Sequence, residues 1–531
     1  MRESTKNNRI EQSMKANVVI STLYQLLTVL TPLITTPYVS GILGAERVGI
    51  YSYTAAYEMY FAMFASLGTG AYGLREISRR RKNAADYSKT FWEIELMSAM
   101  TTAVVLVAWG AWIFFHPEDR IYYCILTISI VAVLFDISWF YMGLEQFRCT
   151  VTVNTVCKLF SVAAIFALVR DGNDLPVYIG IMSTTALCAN LGMWLYLPRF
   201  LGAFTGKLHF GHHLKETMIY FIPNVATSIY TVLDKSLINI ITKSDAQNGY
   251  YEQATKIINM LKAVTFTGLN NVFGSRFSYL FEEESYDEIK EKLKLSVGFV
   301  LTLGVGMCFG ILAVAPYFVP AFFGEGYEGV TPILMILGPM IVVNGISNTL
   351  GSQYYTPSGR RRLSTRLLII GASTNLLLNL VLIRRMQAVG ASIASVVAEL
   401  VILALYLKFN NGYMTVGMVL KDIRYKLVAG VAMLLVCSGL GVLAASLLTG
   451  TPVRSAVTAF ASGAFMDLPV SGLLRSEQIL IVVLMVLVGV VIYIGLLWLL
   501  KDLSIRKLKS VLLHRSTSHI QENAQSGEKE G

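Results

Sequence analysis

Residues 49–59 read GIYSYTAAYEM and residues 249–259 read GYYEQATKIIN, so two related segments recur 200 positions apart. Two further pairs follow in the same order: ADYSKTFWEIEL (85–96) matches ESYDEIKEKLKL (284–295), and FYMGLEQFR (140–148) matches TLGSQYYTPSGR (349–360). No single pairing is strong, but three pairings in order are difficult to attribute to chance. They predict an internal repeat whose two copies fold as the same bundle.

The composition around these segments is that of a membrane protein. The chain is 54% hydrophobic and only 15% charged, and its mean hydropathy is +0.56. Apolar windows of roughly 20 residues, each long enough to cross a ~30 Å hydrocarbon core, predict about fourteen transmembrane helices in an all-α integral membrane protein. The predicted spans are 17–42, 47–72, 91–115, 121–144, 149–170, 175–198, 218–241, 249–275, 295–323, 329–352, 364–384, 387–408, 425–449 and 476–500.

The repeat divides these helices into two six-helix bundles in parallel orientation, followed by two extra helices. The predicted segments are a cytoplasmic N-terminus (1–16), an N-lobe (17–198), a cytoplasmic inter-lobe loop (199–217), a C-lobe (218–408), the two extra helices (425–500) and a basic, disordered cytoplasmic tail (501–531). Parallel repeats of this kind are a transporter architecture in which substrate is held between the halves near the membrane midplane.

Basic residues orient the chain in the membrane. Most of the 44 Lys and Arg residues fall on the side that holds both termini, including the runs RRRK (79–82) and RRR (360–362). The positive-inside rule therefore predicts that both termini are cytoplasmic. Because the net charge of +10 is spread over many short loops rather than one face, we do not expect nucleic-acid binding.

No pattern in the chain predicts a metal or catalytic site. The six cysteines lie in or near predicted spans without a CxxC pair, so we interpret them as apolar packing residues. His209, His212 and His213 cluster in the inter-lobe loop without cysteines or carboxylates at ligand spacing, and we expect them to be solvated. No cleavable signal is evident, so the first apolar stretch is expected to remain as the first span.

Two segments carry a resemblance to a known family. The N-terminal region of polysaccharide flippases is similar to LTPLITTPYVSGILGAERVGIYSYT (30–54) followed by REISRRRK (75–82), and the start of their second half is similar to DKSLINIITKSDAQNGYYEQATKI (234–257). These are Wzx-type transporters of lipid-linked repeat units in the multidrug/oligosaccharidyl-lipid/polysaccharide exporter superfamily. The resemblance, over about residues 15–410, implies a two-lobed, V-shaped bundle in the bacterial cytoplasmic membrane. It implies a protein that flips undecaprenyl-pyrophosphate-linked oligosaccharides to the outer leaflet. The implied partners are membrane lipids and other polysaccharide assembly proteins.

Two predicted helices of the second half carry polar faces, because their polar residues recur at three- and four-residue spacing. The candidates for substrate binding are Asn224, Asp234 and Lys235 in span 218–241, and Lys256, Asn259 and Lys262 in span 249–275. A lipid pyrophosphate is an anion that lysine side chains attract. We therefore predict that Lys256 and Lys262 bind the pyrophosphate.

In span 47–72, an aromatic face formed by Tyr53, Tyr57 and Tyr60 suits sugar rings, since phenols offer both an apolar surface and a hydroxyl. Glu58 of this span and Lys262 are predicted near mid-membrane, where exposure to lipid would cost at least ~2.5–3.5 kcal/mol each. Both should therefore face protein or water. The candidates for coupling to H⁺ or Na⁺ are Glu58, Asp136 and Lys158, and no other cofactor is predicted.

Structural roles are the alternative for several of these residues. Uncharged polar faces also pack helix against helix. The alternative pairings are Asp234 and Lys235 with groups near the outer boundary, Lys256 with Glu252, and Asp136 with Lys158. Lys262 and Glu58 have no oppositely charged residue within one turn of their own helices, which favours a functional role for both.

Two other functions compete with the flippase. An ion-coupled exporter of drugs or metabolites has the same architecture, but intramembrane cations favour an anionic, lipid-linked substrate. A polytopic glycan polymerase usually has a large outer loop with catalytic residues, whereas the loops here are short. The six-plus-six repeat favours transport over catalysis, so we do not expect an enzyme.

Overall fold

The computed structural model describes residues 2–203, 208–209, 211–453, 455, 458 and 472–502, except for the side chains of residues 2–23, 220, 222–231 and 266–275. This described part contains fifteen α-helices and no β-strand. The helices are α1 (Arg2–Ser66), α2 (Thr69–Arg80), α3 (Ala84–Phe115), α4 (Arg120–Leu134), α5 (Ser138–Gly143), α6 (Phe147–Leu168), α7 (Leu175–Trp194), α8 (Gly211–Thr242), α9 (Asp245–Glu282), α10 (Tyr286–Phe323), α11 (Val330–Leu337), α12 (Met340–Leu350), α13 (Arg361–Phe409), α14 (Val416–Thr449) and α15 (Arg475–Leu499).

The prediction of an all-α membrane protein with about fourteen transmembrane helices is confirmed. Ten helical segments of the described residues are long and apolar enough to cross a membrane. Two of them, α1 and α13, contain two spans each, because their backbones kink at Gly44 (φ 73°) and Gln387 (φ 52°). The remaining two predicted spans are α8 and α9.

Two glycines set the path of the first helices. Gly44 (φ 73°) separates the two spans of α1, and Gly68 (φ 78°) precedes α2. Glycine enters this left-handed region without the steric penalty that a Cβ atom imposes. The second span of α1 therefore ends at Ser66, earlier than the predicted residue 72, and α2 carries Arg79 and Arg80 in its last turn.

Unit 1, the first of two compact units, comprises Met1–Glu252 and Asn379–Ala388. One of its apolar clusters joins α1, α3, α4, α6 and α7 around Trp109, Tyr123 and Ile130. A second cluster joins α2, α3 and α5 around Phe91 and Trp139, whose rings stack with centroids 5.6 Å apart. The first cluster holds α1, which carries the predicted aromatic face, against its neighbouring helices.

Unit 2 comprises Gln253–Leu378 and Val389–Gly531. One cluster joins α9, α10, α12 and α13 around Leu293, Tyr354 and Ile402, and another joins α10, α14 and α15 around Tyr317 and Met433. The unit boundaries differ from the predicted lobes, because α8 and the first two turns of α9 pack within unit 1. The six-helix lobes 17–198 and 218–408 remain a prediction from the repeat.

Candidate functional site

The predicted aromatic face of α1 is engaged in packing inside unit 1. Tyr57 packs against Trp112 of α3 with ring centroids 5.0 Å apart. Its hydroxyl lies 3.5 Å from Asn239 Oδ1, and the hydroxyl of Tyr60 lies 3.1 Å from Ser236 Oγ. Both partners belong to α8, so phenol groups join the second span of α1 to that helix.

Tyr53 and Glu58 lie on the same span but in different environments. Tyr53 is 6% exposed, and its hydroxyl donates to Asp119 Oδ2 over 2.8 Å. Glu58 is partly buried, and no hydrogen bond or ion pair joins it to another residue in the described part of the chain. A carboxyl group inside a span is energetically costly when it has no partner. A role for Glu58 in substrate binding or ion coupling stays a prediction.

The adjacent residues Asp234 and Lys235 connect α8 to other segments of unit 1. Asp234 is 4% exposed and accepts hydrogen bonds from the Tyr251 hydroxyl and, over 2.6 Å, from Asn379 Nδ2. Lys235 Nζ lies 2.6 Å from Glu252 Oε2 at the start of α9. Both side chains thus make the structural contacts that their alternative interpretation describes, and a role in substrate binding stays a prediction.

The predicted cationic face of α9 lies in unit 2. Asn259 is exposed, and Lys256 and Lys262 are partly buried. Lys262 forms no hydrogen bond or ion pair with any other described residue, but it interacts electrostatically with the carboxylate of Glu399 on α13. Glu399 is 3% exposed and accepts a hydrogen bond from Asn344 Nδ2 over 2.8 Å. A role for Lys262 in binding an anion stays a prediction.

The two predicted coupling residues outside α1 do not pair with each other. Asp136 is exposed, and its Oδ1 accepts a hydrogen bond from the backbone N–H of Ser138 at the start of α5. Lys158 of α6 is partly buried, and its Nζ lies 5.8 Å from the ring centroid of Tyr24. The side chain of Asn224 lies outside the described residues.

The expectation that the three histidines are solvated is wrong for His213. This side chain is 4% exposed, and its ring nitrogens lie 2.7 Å from the Tyr72 hydroxyl and 3.0 Å from Glu93 Oε2. The backbone N–H of His209 donates to Glu93 Oε1 over 2.9 Å, whereas His212 is exposed. The buried carboxylate of Glu93 on α3 therefore holds the start of α8 in place through both of its oxygens.

Three buried carboxylates of the described residues, Glu93, Glu95 and Glu399, lie inside predicted spans but are absent from the predicted set. The first two belong to the span 91–115 and the third to the span 387–408. The rule that charged residues inside spans are paired or functional would have found them. Among the residues with described coordinates, no group of three or more His, Cys, Asp or Glu side chains could hold a metal ion.

The described residues form a multi-pass helical bundle whose predicted spans contain charged and aromatic side chains. Residues 14–273 match the sequence family described as "Polysaccharide biosynthesis protein". Within the curated proteins, the chain is 22% identical to the "Putative O-antigen transporter" of Escherichia coli (strain K12), over 76% of this chain and 99% of that protein. These matches confirm the resemblance to polysaccharide flippases.

Two solved structures share the fold. The "Lipid II flippase MurJ, inward closed conformation" matches with a TM-score of 0.65 at 14% identity, over 90% of this chain and 98% of that chain. A multidrug resistance MATE family transporter of the MOP superfamily, in its inward-facing conformation, matches with a TM-score of 0.58 at 14% identity, over 75% of this chain and 97% of that chain. Both likenesses show that this chain shares its fold with these two solved structures.

Proposed function

We propose that the protein is a flippase that moves undecaprenyl-pyrophosphate-linked oligosaccharide repeat units from the cytoplasmic to the outer leaflet by alternating access. The observation that carries this proposal is the alignment with a relative named as an O-antigen transporter, because it spans 99% of that protein. The family description, polysaccharide biosynthesis, belongs to the same process. The flipped units would serve surface polysaccharide synthesis.

The pyrophosphate is assigned to the cationic face of α9. Lys256, Asn259 and Lys262 recur at three-residue spacing, which places them along one side of the helix. Lys262 supports this assignment most directly, since its partly buried ammonium group has no direct ion-pair partner in the described structure. Ammonium groups held at low dielectric attract a multiply charged phosphate more strongly than they would in water.

The sugar contacts and the coupling residues are assigned to the first half of the chain. Tyr53, Tyr57 and Tyr60 already bond to protein groups through their hydroxyls. Binding sugars with the same hydroxyls would therefore require those bonds to exchange during the transport cycle. Glu58 is the first candidate for coupling to H⁺ or Na⁺, because its carboxyl group has no partner in the described part, and Asp136 and Lys158 are the others.

The remaining features of the proposal concern location and partners. The protein would lie in the cytoplasmic membrane of a bacterium with both termini in the cytoplasm, since most basic residues fall on that side. It would act on membrane-embedded substrate without catalysing a reaction or binding nucleic acid. Other polysaccharide assembly proteins would supply the lipid-linked unit and use it after translocation.

The test is a flipping assay in proteoliposomes that contain an undecaprenyl-pyrophosphate oligosaccharide. Wild type is compared with Lys256→Ala and Lys262→Ala, and with the matched control Lys290→Ala, whose exposed side chain lies near the start of α10. We expect wild type and the control to flip substrate and both α9 variants to lose most of the rate while remaining folded. Unchanged rates in both α9 variants would refute the assigned anion site.

A second candidate function is ion-coupled export of small molecules, which the likeness to a MATE transporter favours. The same proteoliposomes distinguish the two functions. Uptake of a cationic dye driven by an ion gradient, together with no flipping of several lipid-linked glycans, would assign the exporter function instead. Flipping without dye transport would support the flippase.

A further inference from the structure

A cavity in unit 2 lies apart from every residue assigned to transport. Its volume is about 410 Å³, and it opens between the end of α9, the turn after α12, and the connection from α13 to α14. This volume falls within the range of small-molecule sites, roughly 300–1,000 Å³. By the predicted orientation, all three connections face the cytoplasm at the level where membrane spans end.

Three aromatic rings form one wall of this cavity. Phe281 and Tyr413 each lie against Tyr354, with ring centroids 6.0 Å and 5.0 Å apart, and they lie 6.2 Å from each other. Tyr354 is 1% exposed, so it anchors the wall in the core of unit 2. Faces of aromatic rings attract cations through their quadrupoles.

Two opposite charges line the same cavity without pairing. Arg360 donates from Nη1 to Asn411 Oδ1 over 2.7 Å, and Glu282 is exposed at the end of α9. Neither side chain forms an ion pair with any residue of the described structure, although both line one cavity. A guanidinium group has five donors in a planar fork, so most of the Arg360 donors remain for a ligand.

We propose that this cavity binds a zwitterionic phosphodiester, the head group of an aminophospholipid. Arg360 binds the phosphate, since its planar fork matches phosphate oxygens. Glu282 and the three rings bind the ammonium group, which combines a carboxylate acceptor with cation–π attraction. A purely anionic head group would meet Glu282 and a purely cationic ligand would meet Arg360, so a ligand that carries both charges fits best.

The position of the cavity favours a lipid over a soluble ligand. Its lining residues Phe281 and Tyr354 lie just beyond the cytoplasmic ends of the predicted spans 249–275 and 329–352, where the head-group region begins. Tyr286 at its edge is 51% exposed, so an apolar ring faces outward beside the opening. A soluble phosphodiester would share the head-group chemistry without acyl chains, and the experiment separates these two sources.

The experiment is a lipid titration of the delipidated, full-length protein by native mass spectrometry. The probes are phosphatidylethanolamine and phosphatidylglycerol with identical acyl chains. We expect one site that binds phosphatidylethanolamine at least about tenfold more tightly than phosphatidylglycerol, because a hydrogen bond to a charged group contributes roughly that factor. Glu282→Gln should abolish this preference, and Arg360→Gln should weaken both lipids by about the same factor.

The matched controls are Arg362→Gln and Glu283→Gln. Each removes a charge of the same sign as its test variant, close to the cavity, but neither residue lines the cavity. Both should bind as wild type does. Tyr413→Leu is a second test if Arg360→Gln fails to fold, and it should weaken phosphatidylethanolamine alone. Equal binding of the two lipids by wild type, or tight binding by all three cavity variants, would overturn the proposal.

The source of the ligand is tested with glycerophosphoethanolamine, the soluble head group, as a competitor. Little displacement of the lipid at equal concentration supports a membrane lipid as the occupant. Complete displacement at that concentration would overturn the lipid assignment and give the site to a soluble phosphodiester of the same chemistry.

Discussion

Gly49 and Gly249, which stand 200 residues apart at equivalent positions of the repeat, make reciprocal close approaches in unit 1. A Cβ atom on Gly49 would lie 1.7 Å from the carbonyl oxygen of Asp245, and one on Gly249 would lie 2.0 Å from the carbonyl oxygen of Ala45. Asp245 and Ala45 are themselves equivalent residues of the repeat. The two repeat segments therefore meet backbone to backbone around a local two-fold relationship.

This contact predicts that even one added methyl group at Gly49 is destabilising. Gly49→Ala should lower the free energy of unfolding by about 1–3 kcal/mol, because backbone atoms must move to accept the Cβ atom. Gly41→Ala on the same helix is the control, since no atom lies within 4 Å of its added Cβ atom. It should leave stability unchanged or raise it by about 0.4–1 kcal/mol. Thermal unfolding in detergent measures both, and equal midpoints would contradict the prediction.

Buried ionic contacts in unit 2 fix the last two helices. Lys426 Nζ lies 3.0 Å from Asp502 Oδ2 and 3.1 Å from Asp422 Oδ2, and both Lys426 and Asp502 are buried. Lys426→Met should lower the free energy of unfolding by about 3–5 kcal/mol, since it removes the ammonium group that pairs with the buried carboxylate of Asp502. Exposed Lys421→Met is the control and should change little.

The same contact also predicts the stability of a double variant. Lys426→Met/Asp502→Leu removes both buried charges, so it should recover much of the stability that Lys426→Met loses. Chemical unfolding of the wild type, the single variant and the double variant measures this recovery. A double variant less stable than the single variant would show that these charges do not act through each other.

Substitutions of His213 and of its exposed neighbour His212 test the buried hydrogen-bond network at the start of α8. His213→Ala removes one hydrogen-bond partner of the Tyr72 hydroxyl and one of the Glu93 carboxylate. The loss of these buried hydrogen bonds should lower the free energy of unfolding by about 1–3 kcal/mol. The control His212→Ala alters an exposed ring and should stay near wild type in the same thermal measurement.

The transmembrane spans could be predicted from sequence because an apolar window long enough to cross the bilayer is a strong local signal. The irregularities inside spans were weaker signals. The predicted span 121–144 is broken between Leu134 and Ser138, and the span 329–352 divides at Gly338 and Pro339. Proline lacks a backbone N–H and could have indicated the second break, whereas FDI at 135–137 carries no comparable signal.

The partners of the candidate residues could not be predicted, because they depend on packing between distant segments. The sequence suggests Glu252 as a partner for Lys256 one turn away, but it does not indicate that the carboxylate of Glu252 binds Lys235 and accepts a hydrogen bond from Ser52 over 3.0 Å. Ser52 is the repeat equivalent of Glu252. The alignment of the two segments was visible in the sequence, but their mutual contact was not, since a repeat does not specify which faces meet.

The final prediction concerns Glu399 and Lys262 and rests on the proposed function. Glu399→Gln removes the negative charge that interacts with Lys262, while the amide oxygen can still accept the hydrogen bond from Asn344. Lys262 should then attract an anionic substrate more strongly. The substrate concentration at half-maximal flipping should fall several-fold, in line with coupling energies of about 0.5–3 kcal/mol between interacting residues.

A double-variant cycle tests whether Glu399→Gln acts through Lys262 or through a general change in the electrostatic potential at the substrate. In the Lys262→Ala background, Glu399→Gln should leave the half-maximal concentration unchanged, because the charge that it unmasks is gone. Glu325→Gln, which alters an exposed carboxylate, should match wild type in both backgrounds. If Glu399→Gln lowers the half-maximal concentration equally with and without Lys262, the carboxylate acts on the substrate by another route and Lys262 is not its partner.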